Sequence, residues 1–151
     1  MENYSKPLDK NDQSGFEFAK EMLNGDSTYA INFDRLMYSA KKNQFYIIEY
    51  LLCDEKQTVT PYTSHPNKYW ENKMKFIALW KAARALNATL YLVNYAKKGT
   101  KHEDEILLIE VESVTIGKLT GKNTKMTRKS FSDWFRALNK SCSSTPAELL
   151  K

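Results

Sequence analysis

Hydrophobic and polar residues follow each other along the chain in a pattern that predicts helix, strand, strand, helix, strand, strand, helix. Apolar residues recur at helical spacing in three segments, which are residues 14–26, 67–86 and 130–140. Four further segments alternate or are continuously apolar, as strands are, and these are residues 29–38, 45–53, 88–96 and 106–116. A mixed β-sheet with helices on its faces fits this order, so the predicted fold class is α/β.

The polarity of the strands predicts their positions in the sheet. The run "ATLYLVNYA" (88–96) is apolar on both faces, which is typical of a central strand that helices cover on both sides. Strands 29–38 and 45–53 are joined by the short polar segment "KKNQ" and are predicted to form a hairpin. The predicted layout is a flexible N-terminal arm (1–13), a single domain (14–140) and a frayed C-terminal tail (141–151).

One carboxylate lies inside an apolar strand, in the segment "QFYIIEYLLCDE" (44–55). Burying an unpaired carboxylate is expensive, so Glu49 is expected to have a partner. Two kinds of partner remain open at this stage. Glu49 either pairs with Arg35 or a lysine in an ordinary salt bridge, or it binds a metal ion and takes part in catalysis.

Asp34 lies near the end of the strand that precedes the one with Glu49. Adjacent antiparallel strands can bring Asp34 and Glu49 onto one face, where the two carboxylates stay ionised together only if a cation lies between them. Ligation by oxygen atoms alone suits Mg²⁺ or Mn²⁺, with water and phosphate completing the coordination shell. Such an ion can activate a water molecule and stabilise charge on a phosphodiester.

This order of elements, with Asp34 and Glu49 on neighbouring strands, resembles the restriction-endonuclease-like superfamily of PD-(D/E)XK nucleases over about residues 14–110. The resemblance implies a restriction-endonuclease-like mixed sheet flanked by helices, and metal-dependent hydrolysis of nucleic acid, with DNA as the expected substrate. In that family an aspartate and a glutamate hold one or two divalent ions, here Mg²⁺ or Mn²⁺ on Asp34 and Glu49. A glutamate on the first helix often joins them, and Glu17 or Glu21 matches it.

The resemblance departs from the family pattern at the motif lysine, which follows the glutamate by two residues and helps to position the attacking water. Leu51 stands there in this chain. Some members carry a catalytic side chain on the following helix, so Lys73 and Lys75 are candidates. Helical spacing predicts that Lys73 lies at the edge of the apolar stripe and faces the sheet, while Lys75 lies further round. The alternatives are a catalytically inactive nuclease-like fold that binds nucleic acid or protein, and an unrelated α/β interaction module.

A net charge of +5 permits nucleic acid as a partner without requiring it. A basic loop is predicted over residues 117–129, and its proposed phosphate contacts are Lys118, Lys122, Lys125, Arg128 and Lys129. The loop "PYTSHPNKYW" (61–70) places His65 and Tyr69 where they could touch a nucleic-acid backbone or a base. The structural alternatives are a solvated run of charge and a loop packed by its own aromatic residues.

Length and composition bear on the number of domains and on the cellular setting. The 151 residues suffice for one domain, and no apolar run approaches the roughly 20 residues that a membrane helix needs. Two cysteines and an N-terminus without an apolar segment predict a reducing, cytoplasmic setting. A nuclease of this size that cuts duplex DNA often works as a pair of subunits, so a homodimer is one expected assembly.

Overall fold

The computed structural model describes residues 8, 13–56, 58–69 and 73–151. The chain divides into two compact units, of which the first ends at Ala30 and the second is Ile31–Lys151. Helix α1 (Ser14–Leu23) lies in the first unit and ends at Asn24, whose φ of 48° is left-handed. The predicted arm lies outside the described residues, apart from Leu8 and Gln13.

The second unit is built on a mixed sheet whose described part has five strands in sequential order. The strands are β1 (Arg35–Ser39), β2 (Gln44–Leu52), β3 (Thr89–Tyr95), β4 (Ile106–Val114) and β5 (Leu119–Met126). Strands β2 and β3 are parallel, and every other neighbouring pair is antiparallel. The parallel pair is connected through helix α2 (Lys73–Leu86), because parallel strands require a crossover. The predicted α/β class, with a mixed sheet flanked by helices, is confirmed.

A hydrophobic cluster covers each face of this sheet. Helix α2 packs on one face, called here the α2 face, through Phe76, Leu79 and Ala83. Helix α3 (Arg128–Ser141) packs on the opposite face, the α3 face, through four half-buried side chains: Phe131, Trp134, Phe135 and Leu138. Strand β3 is buried on both sides, with Leu92 in the first cluster and Val93 in the second, and this accounts for its continuous apolar run.

Strand β1 is shorter than the predicted strand 29–38. It begins at Arg35, and Tyr29 upstream is 95% exposed. The Tyr50 N–H donates to Asp34 Oδ2 at 2.8 Å. In a longer β1, this N–H would instead donate to a backbone carbonyl of the strand. The alternation of apolar residues before Asp34 therefore does not mark a paired strand.

The prediction that residues 117–129 form a loop is also wrong, because most of this segment is the edge strand β5, which is antiparallel to β4. Helix α3 begins two residues earlier than predicted and is capped by Thr127, which accepts the Ser130 N–H at 3.1 Å. The predicted helix 67–86 consists of a 3₁₀ turn (Pro66–Lys68) and helix α2, and residues 70–72 lie outside the described part.

The tail predicted to be frayed contains a short helix α4 (Pro146–Leu149), which Thr145 caps. No helix in the described part of the chain is long and apolar enough to cross a membrane.

Candidate active site

Glu49 lies in the middle of β2 and is only 1% exposed. It shares the α2 face with Ile47, two residues before it, and pairs with Leu92 of the parallel strand β3. Burial raises the pKa of the Glu49 carboxyl group above its ordinary value. A hydrogen bond from Lys75 opposes this shift, and the negative charge of Asp34 adds to it.

Asp34 stands beside Glu49 across the β1–β2 hairpin. The register pairs Arg35 with Ile48, and one further step places Asp34 opposite Glu49. The hydrogen bond that Asp34 Oδ2 accepts from the Tyr50 N–H holds the carboxylate at this end of β1. Asp34 is exposed whereas Glu49 is buried, so the structure brings together one solvent-facing and one enclosed carboxylate.

Lys75 is the cation at this site, since its ammonium contacts Glu49 Oε1 in an ion pair. The lysine side chain is 43% exposed, so the ammonium reaches a buried carboxylate from a position open to solvent. Lys75 precedes Leu79 and Ala83 at intervals of four residues, and both of these are fully buried against the sheet. The same row of the helix therefore directs Lys75 towards the sheet.

The prediction that Lys73 rather than Lys75 faces the sheet is wrong. Lys73 is exposed, and Lys75 makes the contact with Glu49. The error comes from counting Trp80 in the buried stripe, which turns the predicted face of α2 towards Lys73. Trp80 is only half-buried, and its ring has the Arg84 guanidinium 5.8 Å from its centre.

The second oxygen of Glu49 has no hydrogen-bond partner among the described residues, although its side chain is only 2% exposed. A buried carboxylate oxygen without a hydrogen-bond partner calls for an explanation, and a bound ion is one of the usual ones. Mg²⁺ is commonly held by one or two carboxylates while water and phosphate oxygens complete its shell. Asp34 and Glu49 fit such an ion, whereas the described residues contain no group of three or more acidic, histidine or cysteine side chains that could enclose one.

Glu17 and Glu21 lie on α1 in the first compact unit, and both are exposed. The spacing of four residues places them on one side of the helix. Their role as a third ligand stays a prediction.

The residues predicted to touch nucleic acid before α2 have local structural contacts. His65 Nδ1 accepts the Asn67 N–H at 3.2 Å and so caps the 3₁₀ turn, while burial, helped by the charge of Lys68, lowers the pKa of His65. Tyr69 packs on Phe76 with 6.3 Å between ring centres. These contacts favour the structural alternative for both residues.

Asn67 fastens the same loop to the sheet edge. Its side-chain amide donates to the Leu119 carbonyl, and its side-chain oxygen accepts the Leu119 N–H, both at 2.9 Å. One asparagine thereby satisfies both backbone groups of the first residue of β5, and the loop is held against an edge that would otherwise be open.

The basic residues at 118–129 do not form one surface. Lys122 lies on the α3 face of β5, and Lys125 lies on the α2 face with its ammonium 5.4 Å from the centre of the Tyr62 ring. The Arg128 guanidinium donates to the carbonyls of Ala96 and Glu103, at 3.2 and 2.6 Å. Lys129 forms an ion pair with Asp133 at 2.8 Å. Lys118 is exposed in the turn before β5.

Asn94 is a buried polar residue that the sequence pattern did not single out. It is fully buried on the α2 face of β3, and its amide donates to the carbonyls of Pro61 and Ser64. Its side-chain oxygen has no partner among the described residues. The signal was present as a lone asparagine inside "LYLVNYA", which predicts a specific buried hydrogen bond.

No protein-family model, no curated protein and no solved structure matches this chain. The geometry of Asp34, Glu49 and Lys75 is therefore what supports a function.

Proposed function

We propose that this protein is a metal-dependent nuclease that hydrolyses phosphodiester bonds in nucleic acid, with DNA as the expected substrate. The observation that carries the proposal is the Glu49 carboxylate, which is buried, keeps one oxygen unpartnered among the described residues, and lies beside Asp34. Burial and a specific charged neighbour shift the pKa of the Glu49 carboxyl group, and a group shifted in this way is a candidate for a functional group.

The three side chains have distinct roles in the proposed reaction. Asp34 and Glu49 would hold Mg²⁺ or Mn²⁺, and such an ion would supply an activated water and neutralise charge on the phosphate. Lys75, which contacts Glu49, would orient that water or donate to a phosphate oxygen. The resemblance assigns this task to the position of Leu51, whose side chain instead packs against the α2-face core.

The topology supports the same proposal. The β1–β2 hairpin presents Asp34 and Glu49, α2 follows and presents Lys75, and β3 returns parallel to β2. This is the order of elements on which the resemblance to PD-(D/E)XK nucleases rests.

Helix α2 is the proposed surface for the nucleic-acid backbone. It contains four basic residues and no acidic one, and Lys81 and Arg84 are exposed in its C-terminal half. Lysine and arginine side chains bind phosphates by neutralising their charge. Helix α2 is proposed in place of the segment 118–129, because Lys122 and Lys125 lie on opposite faces of the sheet and the Arg128 guanidinium donates to backbone carbonyls.

A cytoplasmic, reducing setting belongs to the proposal. Cys53 is buried, Cys142 is half-buried, and both are free thiols. Free thiols are typical of reducing compartments. A homodimer stays an expectation, to be measured by light scattering.

Cleavage assays with purified protein test the proposed function. Single-stranded DNA, duplex DNA and RNA are incubated with Mg²⁺, with Mn²⁺, and with a chelator. We expect cleavage only with the divalent ions, and loss of cleavage in Asp34→Asn. The matched control is Asp54→Asn, which changes an exposed aspartate just after β2 and should retain cleavage.

Two results contradict the proposal: cleavage that survives chelation, and undiminished turnover in Asp34→Asn. Binding of nucleic acid without cleavage of any substrate instead favours the alternative, a nuclease-like fold used as a binding module. Leu51 at the motif lysine position is the observation that favours this alternative.

A further inference from the structure

The Glu49–Lys75 ion pair neutralises only part of a buried acidic site. Lys75 contacts Oε1, whereas Oε2 has no partner in the described part of the chain. Asp34 adds a second carboxyl group next to the pair, across the β1–β2 hairpin. In their charged forms, two carboxylates and one ammonium sum to a single net negative charge.

That net charge opposes the substrate of the proposed function. A phosphodiester is an anion, and like charges at short range repel more strongly where water is excluded. Addition of a divalent cation converts one net negative charge into one net positive charge. The site then attracts a phosphodiester, and Lys75 becomes available to contact it.

The side chain of Lys75 is suited to leave Glu49 when a divalent cation is added. Its side chain is 43% exposed, so the ammonium can be solvated without crossing the core. A lysine head is a compact, hydrated charge on a flexible four-carbon stem, in contrast to the rigid fork of an arginine. Glu49, in the middle of β2, has no comparable freedom.

We propose that Lys75 is an exchangeable counter-ion: it occupies Glu49 before a divalent ion binds, and it is released from the carboxylate when the ion binds. The inference rests on the proposed metal site and adds an order of events. The divalent ion binds first, Lys75 is freed, and the freed ammonium contacts the phosphate. Lys75 and the ion therefore compete for Glu49.

Calorimetric titration with Mn²⁺ in the absence of nucleic acid tests the competition. Lys75→Met keeps the length of the side chain and removes the competing charge. We expect it to bind Mn²⁺ about tenfold more tightly than wild type, the factor that corresponds to about 1.4 kcal/mol. Lys73→Met removes an exposed lysine two residues away and should bind as wild type does, and Glu49→Gln should lose binding.

A second measurement uses the wild-type chain, because Lys75→Met leaves a buried carboxylate without its ammonium. Acetylation of individual lysines is followed by mass spectrometry with and without Mn²⁺, and Lys73 serves as the internal reference. We expect acetylation of Lys75 to rise when Mn²⁺ is added. This separates release of Lys75 from simple repulsion between an unmoved ammonium and the ion, which would leave the acetylation unchanged.

Each outcome of these two measurements supports or contradicts the proposed exchange. Equal or weaker Mn²⁺ binding by Lys75→Met, or unchanged acetylation of Lys75, overturns the exchange even if wild type cleaves nucleic acid. Absence of Mn²⁺ binding to both wild type and Lys75→Met overturns the exchange and the metal site together. Exchange without cleavage of any substrate supports the inference and rejects the nuclease.

Discussion

The Glu49 carboxyl group sits where the fold would be more stable with a neutral side chain. Its pKa is raised mainly by burial, with Lys75 lowering it and Asp34 raising it. A group with a raised folded-state pKa contributes stability below its unfolded pKa, and loses that contribution as pH rises through the folded pKa. The contribution of Glu49 to the stability of wild type is therefore expected to fall as pH rises.

Glu49→Gln tests this penalty without nucleic acid or metal. The stability of the variant relative to wild type is expected to be greater at pH 7.5 than at pH 4.5. Denaturant unfolding at both pH values measures it, and Glu112→Gln, an exposed glutamate on β4, is the control. A difference between variant and wild type that does not change with pH, or that shrinks as pH rises, contradicts the account.

Lys75 is the lysine expected to matter for turnover. Lys75→Ala should lower the single-turnover rate by about 10²–10³, the usual cost of losing one preorganised electrostatic donor. Lys73→Ala should change the rate far less, because Lys73 is exposed and Lys75 holds the contact with Glu49. Single-turnover assays on both variants, with unfolding midpoints as the folding control, make the comparison. A larger loss in Lys73→Ala would reject this assignment.

These residues were visible in the sequence to different degrees. Glu49 stands out because a carboxylate interrupts an apolar strand, and Asp34 follows from the hairpin. Lys75 could not be separated from Lys73, because the two differ in direction only through the exact face that α2 turns to the sheet. That face is set by contacts of Phe76 and Leu79 with the strands, which spacing along the chain does not contain.

At the level of elements, the sequence pattern identifies a strand when the strand is buried and misses it when the strand is exposed. Strands β2, β3 and β4 are apolar runs covered by helices, and the pattern locates them within a few residues. Strand β5 has only one buried residue, Leu119, and was mistaken for a loop. An edge strand needs a ladder on one side only and tolerates charged side chains, so its sequence resembles that of a loop.

Gly121 is the position where the β4–β5 pairing is most sensitive to a side chain. It pairs with Val111 beside an irregularity in the ladder, and an added Cβ would collide with the Glu110 carbonyl. Gly121→Ala is expected to lower the free energy of unfolding by about 1–3 kcal/mol, as overpacking does. Gly117→Ala is the control, because no atom of the described residues lies within 4 Å of its Cβ position. Equal urea midpoints for the two variants would contradict this description of the strand pair.

The whole molecule carries a net charge of +5, which bears on partners rather than on the fold. Binding to duplex DNA is expected to weaken with salt, with a logarithmic slope of about −0.9 for each phosphate neutralised. The double variant Lys81→Ala/Arg84→Ala should weaken binding and flatten the slope more than Lys122→Ala/Lys125→Ala does. Fluorescence anisotropy over a salt series measures both. A larger effect of the β5 pair would restore the segment 118–129 as the contact surface.

The central claim is that Asp34 and Glu49 together bind a divalent cation, and crystals soaked in Mn²⁺ test it most directly. Anomalous difference density locates manganese independently of any assay for cleavage. We predict a peak between the two carboxylates, bonded to Glu49 Oε2, that is absent from crystals of Glu49→Gln. Wild-type crystals in millimolar Mn²⁺ without such a peak, and with Lys75 still paired to Glu49, would show that the buried carboxylate belongs to a structural ion pair.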